Sequence, residues 1–159
     1  MITVEVNDSS VLAALERLTR GLSDMTPVMA DIAAALESES ERQFATESGP
    51  LGKWPHLAPS TIEQRTKHGT WTGKMLQVSA GGLAASVQTS HGSNFAAIHS
   101  NKPYAAIQLL GGYAGRGHAA YIPARPYIPI DPDSEEISRQ GRDTVLDVLE
   151  HHLNRMIDA

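Results

Sequence analysis

The sequence lacks cysteine, long apolar runs and, through its middle, acidic residues. None of its 159 residues is cysteine, so no disulfide can form, which fits folding in a reducing cytoplasm. No apolar run approaches the roughly 18 residues of a membrane span, and the N-terminus shows no signal-peptide pattern, so we expect no membrane contact. Because 41% of the residues are hydrophobic, we expect a single domain over residues 1–159 with its own core.

Acidic residues are confined to the two ends of the chain. Between Gln64 and Ile130 there is no Asp or Glu, although the formal net charge of the whole chain is −5. The basic residues of this stretch are Arg65, Lys67, Lys74, Lys102, Arg116 and Arg125. The asymmetry suggests a basic surface that meets a polyanion or the acidic face of another copy. Depletion of acids from a strand-rich stretch explains the pattern equally well.

Local patterns predict helices towards both ends and strands between them. Ile2, Val4 and Val6 alternate with polar residues as in a half-buried strand. Helical spacing and start signals predict helices from about Ser9 to Gly21, from Thr26-Pro27 to about Ala45, from about Thr61 to Arg65 or beyond, and from the acidic turn Asp131–Glu136 to about Ile157. Strands are predicted at Leu83–Thr89 and Phe95–His99, and a hairpin is the favoured unit for Tyr104–Leu110.

The sequence therefore predicts an α+β fold. We expect a small mixed or antiparallel sheet packed against two longer helices, those opening at Pro27 and Asp133, both on one face of the sheet. The four glycines of the Gly111–Ala119 loop offer few apolar contacts, so this loop is predicted to be mobile in the isolated protein and to order on assembly.

A proline-rich strap follows this loop. Pro123 and Pro126 fix their own backbone and push the preceding residues towards extended conformations, so Arg125 should sit at a defined angle. Arg125 either projects towards a neighbouring copy or folds back on carbonyls of its own strap. Upstream, Trp54 lies in a loop broken by glycine and proline and is predicted to be a buried anchor.

No motif for catalysis, a cofactor or a metal stands out. Gly115-x-Gly117-x-x-Ala120 imitates a dinucleotide fingerprint, but Pro123 follows where that motif needs a helix. The seven histidines lack the spacing of metal ligands, and no serine lies in a nucleophile elbow. We expect no enzyme activity and no cofactor.

An ordered set of residues between Phe44 and Ile130 resembles the phage virion morphogenesis family, the tail completion proteins of Mu-like and related contractile-tailed phages. The set comprises Phe44, Gly52-x-Trp54, Leu57, Thr61, Leu76, Gly82-Leu83, Ser86-Val87, Tyr104-Ala105-x-Ile107, Gly111-Gly112 and Ile122-Pro-Ala-Arg-Pro-Tyr127. The sequence departs from the family pattern at Gln108-Leu109, where a His-Gln pair is expected, and in a longer, more basic glycine-rich loop.

The resemblance implies a structural protein of the virion, located at the tail end or the head-to-tail neck and made in the host cytoplasm. We further expect it to form a homo-oligomeric ring, such as a hexamer, that meets other tail or neck proteins and can contact phage DNA passing its lumen. The candidate interface residues are Tyr113, Arg116, His118, Lys102 and Arg125. The alternative function is a nucleic-acid-binding module that uses the basic region 64–130.

Overall fold

The computed structural model describes residues 9–134 and 136–158. The predicted first strand, Ile2 to Val6, lies outside these residues. The elements in chain order are α1 (Ser9–Gly21), α2 (Thr26–Thr46), β1 (Ser48–Gly49), β2 (Gly52–Lys53), α3 (Pro59–Lys67), β3 (Val87–His91), β4 (Ala96–Ser100), α4 (Ala105–Leu110), β5 (Gly112–Ala114), β6 (Ala120–Ile122) and α5 (Arg139–Asp158).

The predicted α+β class is confirmed, but within the described residues the strands form three separate antiparallel hairpins. These are β1–β2, β3–β4 and β5–β6. The longest pairs Val87 with Ser100 at one end and His91 with Ala96 at the other. A hairpin of five-residue strands is too small to accept two long helices on one face and needs packing against another element to be stable.

Helix α2 is that element. Its buried residues Val28, Ile32 and Leu36 contact Ala96 and Ile98 of β4. The same cluster includes Val145, Val148, Leu149 and Met156 of α5. Helix α5 packs mainly on α2 and α1, so the prediction that both long helices cover one face of a sheet is wrong.

The last helix begins later than the acidic turn predicts. The carboxylate of Asp131 accepts a hydrogen bond from the backbone N–H of Asp133 at 2.9 Å, which closes a local turn. Ile130 pairs with Ile137 as an isolated β-bridge. Helix α5 then starts after Ser138, whose hydroxyl accepts the backbone N–H of Gly141 at 3.1 Å. The acidic residues therefore stabilise a turn, and a serine cap sets the start of the helix.

The segment Tyr104–Leu110 is helical from Ala105 on, whereas the sequence favoured a hairpin there. Gly111 ends this helix with φ of +75°, and a Cβ at Gly111 would lie 2.7 Å from the nitrogen of Ala124. A glycine is required at this position because the backbone of the strap passes directly against it.

Two further features of the helices depart from what their local sequence suggests. Glu39 of α2, although charged, is buried, and it forms an ion pair with Arg42 one turn later. The hydroxyls of Thr26 and Ser60 make no cap hydrogen bond, because α2 begins at Thr26 itself and α3 begins at Pro59, two residues before the predicted start at Thr61.

A second core forms around Trp54, as predicted. Trp54 is only 3% exposed and meets Phe44 edge to face, with ring centroids 5.8 Å apart. Its indole N–H donates to the carbonyl of Pro126 at 2.8 Å, and its backbone N–H donates to the carbonyl of Glu47 at 2.9 Å. Tyr127 packs on the same Phe44 ring, with ring centroids 5.3 Å apart.

Replacing Trp54 tests this core. We expect Trp54→Ala to lower the free energy of unfolding by about 3 to 5 kcal/mol, since a buried aromatic ring leaves a cavity. Trp54→Phe keeps a ring and loses the bond to Pro126, so its cost should be nearer 1 to 3 kcal/mol. Chemical denaturation measures both, and a Trp54→Ala protein that unfolds like wild type would contradict the packing described.

Alkaline unfolding tests the burial of Tyr127. Burial raises the pKa of its hydroxyl from the ordinary value of 10.0 to about 12. The stabilisation is therefore fully present below pH 10 and is lost as the pH rises from 10 to about 12, because the unfolded chain ionises first. The loss should reach about 3 kcal/mol.

Tyr127→Phe is the control for this pH dependence. It removes the ionising hydroxyl and its bond to the Ala105 carbonyl, so it should unfold more easily at neutral pH yet lose less stability between pH 10 and 12. Equal alkaline losses in both proteins would show that another group controls this range.

Candidate assembly interface

The strap between Pro123 and Ile130 is threaded through the interior. Arg125, Pro126, Tyr127 and Pro129 are buried. Three carbonyls of this segment accept hydrogen bonds from other parts of the chain: Trp54 donates to Pro126, the Ser40 hydroxyl to Tyr127, and the Ser138 backbone N–H to Pro129. The prediction of a stiff, extended strap agrees with this arrangement, and its position inside the core was not foreseen.

Arg125 points inward, which corrects the expectation that it projects from the strap. It is 3% exposed, and its Nε and Nη2 donate to the carbonyls of Pro55 and His56 at 2.9 and 3.2 Å. Its backbone N–H donates to the carbonyl of Gln108 at 2.7 Å. The carbonyls it meets belong to the loop after β2, so the alternative of bonds within its own strap is also wrong.

The glycine-rich loop is a hairpin rather than an irregular loop. Strands β5 and β6 pair Tyr113 with Tyr121, and the turn between them is a short 3₁₀ segment, Arg116–His118. The turn needs left-handed backbone at Gly115 and Gly117, with φ of +80° and +69°. Whether the hairpin is mobile in the free monomer stays a prediction, which amide exchange can measure.

This hairpin presents an exposed pair of tyrosines. Tyr113 and Tyr121 are 65% and 64% exposed, and their rings meet edge to face with centroids 5.3 Å apart. Such rings are costly to leave in water and are enriched in protein interfaces. Tyr121 was missed by the sequence interpretation. The sequence signal for Tyr121 is its spacing, because Tyr113 and Tyr121 lie at equal distances on either side of Gly117.

Two of the predicted basic residues lie on the same hairpin. Arg116 and His118 are exposed at its turn, and the His118 ring contacts the Tyr113 carbonyl at 3.4 Å. Lys102 lies elsewhere, in the half-buried connection between β4 and α4. The structure therefore brings Tyr113, Arg116 and His118 together, leaves Lys102 apart and places Arg125 inside.

Residues 9–134 and 136–158 contain no cluster of three His, Asp or Glu side chains that could hold a metal ion. Among these residues there is also no helix with the length and apolar character to cross a membrane. The arrangement at the hairpin, exposed aromatic rings beside an arginine and a histidine, is suited to contact with another macromolecule.

Comparison with known proteins agrees with the family resemblance found in the sequence. The model of the phage virion morphogenesis family matches residues 6–154, a longer span than the resemblance between Phe44 and Ile130. The chain is 35% identical to Mu-like prophage FluMu G protein 2 of Haemophilus influenzae over 136 residues, covering 85% of this chain and 88% of that one. It is 34% identical to the putative capsid assembly protein G of Escherichia phage Mu over 138 residues, covering 81% and 88%. No solved structure matches the chain.

Arg125 of the strap and Arg116 of the hairpin turn differ in a testable way. Arg125→Ala leaves two carbonyls without their charged donor, so we expect it to lower the free energy of unfolding by about 3 kcal/mol. Arg116→Ala removes the same charge from an exposed turn and should change stability by no more than about 0.5 kcal/mol. Thermal and denaturant unfolding of the monomer compare them, and normal stability of Arg125→Ala would disprove its structural role.

Proposed function

Because the chain belongs to the phage virion morphogenesis family, we propose that it completes tail assembly as a ring-forming structural protein at the tail end or the head-to-tail neck. Membership of the family makes it a phage assembly protein. The relative from phage Mu is described as a putative capsid assembly protein, which supports action on the virion. The proposed role is structural and needs no catalysis.

The observation that carries the proposal is the exposed hairpin β5–β6. It combines two exposed tyrosines with Arg116 and His118, and no acidic residue occurs between Gln64 and Ile130. Exposed acids lie on other elements, at Glu41 on α2 and at Asp143 and Asp147 on α5. A basic, aromatic surface on one copy and an acidic surface on the next give a head-to-tail contact.

A head-to-tail contact that repeats around an axis closes into a ring when its rotation permits. The proposed oligomer is such a ring, for example a hexamer, with Lys102 as a further cation at its contacts. Its outer and end faces would meet other tail or neck proteins, and its lumen would admit the phage DNA. The protein would then be a component of the virion, assembled in the host cytoplasm.

Removing the tyrosine pair tests the ring. We expect Tyr113→Ser with Tyr121→Ser to shift the purified protein towards monomer, with association weakened about 30-fold if the pair contributes about 2 kcal/mol. Sedimentation and light scattering across protein concentration, at low and high salt and without nucleic acid, report the mass. Both side chains are exposed, so monomer stability should change by less than about 1 kcal/mol.

Phe95→Ser is the matched control, since Phe95 is an exposed aromatic residue, 50% accessible, next to a different hairpin. It should leave the oligomer intact. A wild-type protein that stays monomeric at every concentration, or that assembles only on DNA with a steep dependence on salt, would instead favour the nucleic-acid-binding alternative.

A further inference from the structure

A cleft of about 450 Å³ lies beside the hairpin, between α3, α4 and the start of the strap. Its walls include Leu57, Tyr121 and Pro123, and its polar lining includes Arg65, Gln108 and Arg125. It shares Tyr121 with the candidate interface described above, but its arginines and Gln108 lie outside that interface. The lining of this cleft is unusual because it includes two guanidinium groups.

Both guanidinium groups are held in place by backbone carbonyls. Arg65 donates to the carbonyl of Met75 at 2.8 Å, and Arg125 donates to those of Pro55 and His56. In the part of the chain that the structure describes, neither forms an ion pair with a carboxylate, and Nη1 of Arg125 makes no hydrogen bond. These side chains are oriented before any ligand arrives, which lowers the entropy lost on binding.

Their environment is costly without an anion. Burial lowers the pKa of both arginines, and the neighbouring charge of Arg65 lowers the pKa of Arg125 further. The charge of Arg125 is buried and that of Arg65 is partly buried, so the two repel each other across one recess, and a carboxylate placed between them would offset the cost. A guanidinium group can bind both oxygens of a carboxylate at once.

Gln108 adds a second requirement to the cleft. Its side-chain Oε1 is buried and has no hydrogen-bond donor among the described residues. The occupant should therefore supply a donor near this oxygen as well as an anionic acceptor for the arginines. A phosphodiester backbone offers acceptors only, whereas a peptide carries N–H donors beside its side chains.

We propose that this cleft binds an acidic peptide segment, whose carboxylate meets Arg65 and Arg125 and whose N–H groups face Gln108. We take the occupant to be a second copy of this chain, whose turn exposes Asp133 and Glu136 and so supplies the acidic side chains that residues 64–130 lack. This choice rests on the proposed ring, and another protein of the virion is the alternative that the test distinguishes.

The test uses the full chain and an N-acetylated, fluorescein-labelled hexaglutamate peptide, with hexaglutamine as the neutral control. Fluorescence anisotropy at low salt compares wild type, Arg65→Gln, Arg65→Lys and Lys67→Gln. Lys67 lies on the same helix and is exposed, so Lys67→Gln removes the same charge away from the cleft. We expect Arg65→Gln to weaken binding at least about tenfold, Arg65→Lys to restore part of it, and Lys67→Gln to change it less than about twofold.

Because Arg65→Gln also loses a bond to Met75, a measurement on the wild type guards against an unfolded variant. Unlabelled hexaglutamate should raise the melting temperature of the wild-type protein, and hexaglutamine should not. Absence of this shift, equal weakening by Arg65→Gln and Lys67→Gln, or displacement of the peptide by a short DNA duplex would each overturn the proposal.

The mass of each protein separates the two sources. Loss of both peptide binding and the oligomer in Arg65→Gln assigns the occupant to a second copy. Loss of peptide binding with an intact oligomer assigns it to another virion protein. If the wild type is monomeric throughout yet binds hexaglutamate through Arg65, the ring is refuted and the cleft stands.

Discussion

Burial of the strap backbone is the constraint on which the rest of the structure depends. A segment without regular secondary structure can pass through a core only if its polar backbone groups find partners there. Pro126 and Pro129 remove two donors, and Trp54, Ser40 and Ser138 supply donors for the carbonyls of Pro126, Tyr127 and Pro129. Those three donors come from the β2 loop, from α2 and from the start of α5, so one short segment connects distant parts of the chain.

This arrangement also fixes where the exposed hairpin leaves the body of the protein. The bond from the Arg125 backbone N–H to the Gln108 carbonyl ties the strap to α4, and Gly111 lets the chain turn there with almost no space between the two backbones. Strands β5 and β6 contact chiefly each other and their own turn. The hairpin is thus anchored rigidly at its base and presents its tyrosines away from the core, a suitable geometry for a contact surface.

The sequence revealed local features better than their assembly. Helices α1 and α2 and the β3–β4 hairpin follow from periodicity, because each depends on neighbours in the chain. Burial of Trp54 follows from its size and apolar character, although its partner Pro126 is distant in sequence. The late start of α5 depends on a bridge between Ile130 and Ile137, and helix α4 on its contact with the strap, which are tertiary effects. For the candidate interface, Tyr113, Arg116 and His118 are adjacent in sequence and were identified together, whereas the direction of Arg125 depends on the distant loop at Pro55 and His56.

The absence of acidic residues between Gln64 and Ile130 can be related to contacts that the basic residues of this stretch make in the fold. Lys74 donates to the carbonyl of Ala45 at 2.8 Å, at the C-terminal end of α2, where a cation also favours the helix dipole. Arg65 and Arg125 likewise donate to carbonyls, and Lys67 pairs with Glu63 on its own helix. An acidic residue nearby would compete with these carbonyls for the same cations.

Four of the six basic residues are thus engaged inside the chain, which leaves Lys102 and Arg116. Two cations per copy can neutralise only about two phosphates of DNA in a lumen. Since each neutralised phosphate adds only about −0.9 to the slope of log affinity against log salt concentration, the attraction is weak and non-specific. The charge pattern therefore favours contacts between proteins over a DNA-binding surface.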